Sequence, residues 1–565
     1  MDWSTYNAAL PTVGVVNALG ALIALWVVYA IAQHMRRRAH CTPLASPPNP
    51  SFLFGIGRSL FKHPDPAAVY EQWAEKYGSV FRIPATLGYS RVVLCDPKAI
   101  QHFYSHETFL YQQTTLTKQS IESLDVDEPA AAREGQRKAL TPAFSNAAIR
   151  RLTYIFFDSA YKLKEMIPPL SRCRLDSIGI AGFSHDFGTL HGKHSTVAET
   201  FDSFSSLKPT LIGVAVFIVG LAFPRVMMRI PTAFRMLVKQ LNASMAEVAD
   251  DLLANTRKES EGEDKAEDKS IIGLLVKAES HQSDLHISQD EVMAQMKVLI
   301  LAGYETTSIS LTWCLVELCK KPEIQAKLRD ELSQISSGDP TWDQLTNGFP
   351  YLDAVVHETL RLHPPLGETT RMATEDAIIP LSTPLKIPTG TVVDSVAIAK
   401  GDIVTVPIHL MNSWPEFWGP DAREFNPERW LAEDGVPKKA QELQGHRHLL
   451  TFVDGPRICL GRGFALAEFK AVLSVLIRNY TFEFRDGPDT QIERVRGILP
   501  RPGVAGEKGA KIPLRIFPKF GGLETTLYAT NREGGKTLGK AVGKAIGKAV
   551  GKAIGKAVGK AVEKV

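Results

Sequence analysis

Between Phe452 and Gly461 the chain reads Phe-Val-Asp-Gly-Pro-Arg-Ile-Cys-Leu-Gly, and an amphipathic helical pattern begins at Phe464. Few local sequences restrict a fold so tightly. Cys459 is bracketed by Gly455 and Gly461 and set just ahead of a helix. At such a place unpaired amides and the positive end of the helix dipole favour an anionic sulfur and lower its pKa. The glycines permit tight turns and let a large planar group approach the backbone. Arg457 is placed to pair with a carboxylate on that group. Taken alone, the stretch also fits a buried cysteine in a turn.

Distant segments argue for the first reading. Ser288 and Glu291 have the spacing of a capping box, opening a helix that runs to about Lys320 and stops at Pro322. This helix is apolar nearly all round, which predicts a buried central position. It nevertheless contains Ala302-Gly303-Tyr304-Glu305-Thr306-Thr307. Glycine followed by hydroxyl residues can loosen the helical ladder into a bulge. A carboxylate beside a hydroxyl in a buried helix can relay protons. The competing reading is that Thr306 only bonds back to a carbonyl. A further helix spans Tyr351 to His363, ended by Pro364-Pro365, and carries Glu358 and Arg361 on one face. Phe425-Asn-Pro-Glu-Arg429-Trp430 supplies another arginine.

The N-terminal end predicts a membrane attachment. Val13 to Gln33 is uncharged and mostly apolar, and His34-Met35-Arg36-Arg37-Arg38 follows. About 20 apolar residues span a bilayer, and arginines just beyond place the following chain in the cytosol. A cleaved signal peptide is the alternative, but there the charge precedes a shorter apolar core. Prolines 43, 47, 48 and 50 then make a stiff connector. Short strands are expected at Val80–Ile83 and Arg91–Leu94, with more between Ile378 and Pro407, and helices dominate between them. Leu211 to Phe223 is too short to span a membrane, and Glu259 to Lys269 is a charged loop.

Six scattered cysteines form no disulfide framework, and Cys314 and Cys319 read as core. The net charge of +4 is concentrated in the tail, where eight lysines and one acidic residue fall between Lys536 and Lys564. The remainder is slightly acidic, which speaks against nucleic-acid binding. The tail repeats Gly-Lys-Ala-Val/Ile. It reads as disordered or fraying helix, or else as a contact for anionic membrane.

Together these four pieces, in this order, resemble the cytochrome P450 family of haem-thiolate monooxygenases, in its microsomal, fungal-like form. The loop around Cys459 matches the family signature F-x-x-G-x-R-x-C-x-G at every position. Glu358 and Arg361 resemble its E-x-x-R helix. Ala302 to Thr306 resembles its oxygen-activating segment, and Phe425 to Trp430 its P-E-R motif. The resemblance implies a mainly α fold (α+β), a helical domain with a smaller β-rich region, plus one N-terminal transmembrane helix. The implied organisation is a short lumenal segment (1–12), the anchor (13–33), a basic, Pro-rich connector (34–51), the haem domain (52–522) and the Lys/Gly-rich tail (523–565).

By the same resemblance, Cys459 is the axial thiolate of haem b, within a loop formed by Phe452, Gly455, Arg457 and Gly461. Arg457, Arg371 and Arg137 hold the propionates. Glu305 and Thr306 deliver protons to dioxygen. Glu358, Arg361 and Arg429 form a buried structural triad. The implied activity inserts oxygen into a hydrophobic small molecule such as a terpenoid, steroid or polycyclic aromatic. Segments 111–124, 210–223 and 366–370 would line its pocket. Electrons come in trans from NADPH-cytochrome P450 reductase, with cytochrome b5 as a further donor. The expected place is the endoplasmic reticulum membrane, single-pass, with a cytosolic catalytic domain. The chain departs from the family at Arg133, where Trp or His is usual, in the acidic stretch 125–132, and in the short segment 163–175. Alternatives are a haem-thiolate isomerase or dehydratase, or an inactive remnant with weakened haem binding.

Overall fold

The computed structural model describes residues 41–118, 137–166, 196–205, 232–261, 288–335 and 338–518, apart from a few single positions and short gaps, together with residues 21, 24, 25, 28, 29 and 230. The expected anchor therefore lies almost wholly outside the described residues. Its five described positions, Ala21, Ala24, Leu25, Val28 and Tyr29, are helical and exposed. The stretches 125–133, 167–175 and 211–223 and the tail also lie outside them.

Punctuation in the sequence sets the early elements. Asp65 accepts a hydrogen bond from the Ala67 amide at 3.0 Å, Pro66 occupies the first turn, and helix α1 (Pro66–Tyr77) follows. Gly78, at φ +93°, ends it. Strands β1 (Val80–Pro84) and β2 (Ser90–Leu94) pair antiparallel, as their apolar runs predict. Asp96 then caps α2 (Pro97–Ser105) through the amides of Lys98 and Ala99. Strand β3 (Tyr111–Gln112) leads on towards α3 (Asn146–Met166), α4 (Thr196–Ser205) and α5 (Ala233–Glu261).

The expected capping box is present. Ser288 Oγ accepts from the Glu291 amide, and Glu291 Oε2 accepts from the Ser288 amide at 2.7 Å. It opens α6 (Gln289–Lys320), whose 32 residues make it the longest helix among those described. This helix is long and apolar enough to cross a membrane, but Val292, Met296, Ile300, Leu311, Cys314 and Leu318 are buried in the protein core. It is the central helix of the fold. Burial pushes the thiols of Cys314 and Cys319 up to about 12, as suits inert core residues. Helices α7 (Pro322–Ser333) and α8 (Pro350–Leu362) follow, each with proline in its first turn.

A strand-rich stretch comes next: β4 (Thr369–Ala373), β5 (Ala377–Lys386), β6 (Val392–Ile398) and β7 (Ile403–Val406). After it come α9 (Arg462–Asn479), β8 (Tyr480–Phe484), β9 (Ile492–Val495), β10 (Arg501–Val504) and β11 (Leu514–Pro518). The main sheet has the order β1-β2-β7-β4-β3, with β2 and β7 parallel and the other pairs antiparallel. Three two-stranded ribbons, β5/β6, β8/β11 and β9/β10, complete the described β structure. The architecture is mainly helical with a smaller sheet region.

Two expectations need correction. Helix α9 is not amphipathic: Phe464 and nearly every residue from Ala467 to Ile477 are buried. It packs along α3 on one side, where Phe464 meets Phe156 edge-on at 4.8 Å, and against α6, α7 and α8 on others. Nor does α6 open a bulge at Gly303, for it runs unbroken through Ala302 to Thr307. The S288A variant should lose ~1 kcal/mol at the start of α6. Amide hydrogen exchange checks this: protection should fall in the first turn of α6 and stay unchanged at its buried middle.

Candidate functional site

The cysteine loop is a stack of tight turns. The Cys459 amide donates back to the Phe452 carbonyl at 2.9 Å, and the Ile458 amide to that of Gly455 at 3.1 Å. Gly455 has φ +68°, and a Cβ there would lie 2.4 Å from the Tyr104 carbonyl oxygen. Only glycine allows the loop to press against the end of α2. Gly461, at φ −81°, serves differently, as the N-cap of α9.

Cys459 is crowded by protein yet retains accessible surface, and it is the most exposed of the described cysteines. The expected lowering of its pKa is not observed. Burial pushes the thiol up, and the Gly461 amide and the charges of Arg137 and Arg462 only partly offset this. Crowding of the thiol by protein outweighs the pull of a helix whose first turn lies beyond Gly461.

Behind the loop lies a fully buried charge pair. Arg361 Nε donates to Glu358 Oε2 at 2.8 Å and Nη2 to Oε1 at 2.7 Å, with neither side chain exposed. The pair is therefore no surface ornament. Arg361 spends its remaining donors on the carbonyls of Asn412, Ala422 and Glu424. Glu358 also accepts from Trp430 Nε1 at 3.0 Å and the Asn426 amide at 2.9 Å. Arg429 is a looser third member than expected. Its Nε lies 3.8 Å from Glu358, while Nη2 lies 2.6 Å from Asp421. The P-E-R segment contributes Trp430 to the carboxylate more directly than it contributes Arg429.

Asn412 carries this clamp to the cysteine loop. Its carbonyl takes Arg361, its Oδ1 accepts from the Leu450 amide at 2.9 Å, and its Nδ2 donates to Thr451 Oγ1 at 2.8 Å. Thr451 in turn donates to the Leu360 carbonyl at 2.7 Å. Leu450 and Thr451 directly precede Phe452, so helix α8 holds the root of the loop. No motif marks Asn412 in the sequence.

On α6, Ala302 is exposed and Thr306 partly so, although the helix runs through the core. Thr306 Oγ1 donates to the Ala302 carbonyl at 3.0 Å. Glu305 is buried and forms a close ion pair with Arg501 on β10. The acid and the hydroxyl are thus adjacent in sequence but differently engaged.

The three expected arginines converge only in part. Arg137 and Arg457, with Thr108, Phe109, Lys138, Thr141 and Pro456, line a cavity of about 390 Å³. Arg137 Nη2 also donates to the Ile458 carbonyl at 2.7 Å, next to the cysteine. Arg371, on β4, pairs with Glu107 at 2.5 Å. Of the expected pocket segments, Tyr111 is core rather than lining, Leu366 is exposed, and Glu368 binds Arg91 at 2.7 Å and Tyr70. Residues 119–124 and 210–223 lie outside the described residues.

A family model for cytochrome P450 matches residues 45–504. This chain belongs to the cytochrome P450 family. The P450 named cytochrome P450 monooxygenase claQ, from Ampulloclitocybe clavipes, is 56% identical over 529 residues, covering 89% of this chain and 98% of that protein. Cytochrome P450 monooxygenase 205 of Postia placenta is 33% identical, covering 84% and 92%. The ganoderic acid synthetase of Ganoderma lucidum is 29% identical, covering 83% and 92%. The chain is accordingly a fungal-type P450 monooxygenase, an oxidoreductase whose family carries haem b on a cysteine thiolate.

The donor set fits that group. One accessible thiol stands on a braced loop, a helix face is left open at Ala302, and a cavity beside the loop is lined with basic side chains. Glu358→Ala would leave Arg361 without its buried counter-charge, at ~3–5 kcal/mol. Asn412→Ala should cost ~1–3 kcal/mol by stripping the loop's amide and hydroxyl partners. Both variants should lose haem in that order of severity, read as haem bound per mole of purified protein. Wild-type occupancy in Glu358→Ala would contradict the clamp.

Proposed function

We propose that this P450 hydroxylates a hydrophobic secondary metabolite, of terpenoid, steroid or polycyclic aromatic type, with electrons from an NADPH-dependent reductase. The observation that carries the reading is the Cys459 loop, braced by Glu358, Arg361 and Asn412 and keeping accessible sulfur. Cys459 would ligate the haem iron, and Arg457, Arg137 and Arg371 would take its propionates. With the haem bound, thiolate ligation favours O–O cleavage. Thr306, on the partly open turn of α6 with Ala302, would hold a proton donor. Glu305, one residue back, is the nearby acid, and it must release Arg501 to exchange a proton. The similarity to a ganoderic acid synthetase supports biosynthetic rather than detoxifying work.

The uncharged run at 13–33 supports a single membrane anchor, with the arginines after it favouring a cytosolic catalytic domain on the endoplasmic reticulum. A chain beginning at residue 34 should shift from the membrane fraction towards the soluble fraction. Unchanged membrane recovery would place attachment elsewhere. Activity is tested with purified enzyme, P450 reductase, NADPH and isotopically labelled dioxygen against terpenoids, steroids and polycyclic aromatics. One labelled oxygen per product, dependent on both NADPH and reductase, is the expected result. Turnover without NADPH would favour an isomerase or dehydratase instead.

A further inference from the structure

Glu107 stands on the turn after α2, where its amide donates to the Tyr104 carbonyl at 3.4 Å. Strand β3, four residues on, pairs Tyr111 with Ala373 of β4. The carboxyl is 2% exposed. Its Oε1 takes Arg371 at 2.5 Å, while Oε2 is buried with no hydrogen-bond partner. Arg457 acts on the same carboxyl through its charge; burial pushes the pKa up, and the two arginines pull it down.

The surrounding backbone enforces this meeting. Gly455 lets the loop that carries Arg457 pack on the Tyr104 carbonyl. Tyr104 Oη donates to Thr369 Oγ1 at 3.3 Å, fastening α2 to the strand that carries Arg371. Thr108, the next residue, lines the basic cavity with Arg137 and Arg457. A buried carboxylate with one oxygen unsatisfied is costly unless a ligand or proton completes it.

We propose that Glu107 is a positioning residue for the haem: it aims Arg371 and adds a third carboxyl to the arginines that take the two propionates. The inference rests on the reading of Arg371 and Arg457 as propionate partners. Three carboxyls then share these cations, so the charge of Glu107 loosens the haem and disfavours addition of an electron to the iron.

Full-length apoprotein is titrated with haemin, and the iron(III)/iron(II) midpoint potential is measured by spectroelectrochemistry, for wild type, E107Q and R371Q. E107Q keeps the shape and removes the charge. Its haemin Kd should fall about three- to tenfold, and its midpoint should become more positive. R371Q should bind haemin more weakly. E107Q matching wild type in both readouts, or changing either in the opposite direction, while R371Q is weakened, overturns the role of Glu107 alone. R371Q binding haemin as well as wild type removes Arg371 from the propionates and takes the proposal with it. Should E107Q not fold, E107M is read the same way, and failure of both to fold makes Glu107 purely structural and overturns the proposal.

Discussion

Cys459 is held in place from behind, by a buried charge pair that it never touches. Arg361 and Glu358 have no exposed side-chain surface, and desolvating two ions is affordable only when every donor and acceptor is matched. Here Arg361 is matched by one carboxylate and three backbone carbonyls. One of those carbonyls belongs to Asn412, whose side chain grips the two residues before the cysteine loop. The pair converts the position of helix α8 into the position of a sulfur atom.

The surrounding elements also enclose the loop from other directions. Helix α9 is buried almost all round and packs along α3, so the loop is closed from the C-terminal side as well. Gly455 and the end of α2 close it from a third direction. Among the described residues, the cysteine itself, α6 at Ala302 and a basic cavity at the flank stay open. A loop fixed on several sides and open where the sulfur is accessible suits a ligand to a bulky planar group more than a reactive thiol.

Much of this was legible in residue order. The capping box at Ser288, the prolines that end α6 and α8, and the strand pair β1/β2 are local signals, and local physics produced them. The Glu358–Arg361 pairing followed from a spacing of three on a helix. The roles of Asn412 and Glu107 and the bond from Trp430 to Glu358 were not legible, because the partners lie 38, more than 200 and 72 residues away in the chain. The amphipathic reading of α9 failed for the same reason: its polar positions, such as Lys470, are satisfied by the Leu345 carbonyl and Asp353 rather than by water. Gly303 did not open α6: the helix runs unbroken through it, and Thr306 bonds back to the Ala302 carbonyl.

The ion pair of Glu305 with Arg501 ties the acid of the site to a distant element. It joins the central helix to ribbon β9/β10, and nothing in the chain's local pattern pointed to residue 501. The account as a whole stands on the bond between Cys459 and iron. Its most direct test is the difference spectrum of the purified wild-type protein, reduced and exposed to carbon monoxide. A strong Soret band at the wavelength of thiolate-ligated haem is the predicted result. A chain that stays colourless after haemin is supplied, or whose band sits where imidazole-ligated haem absorbs, would contradict it.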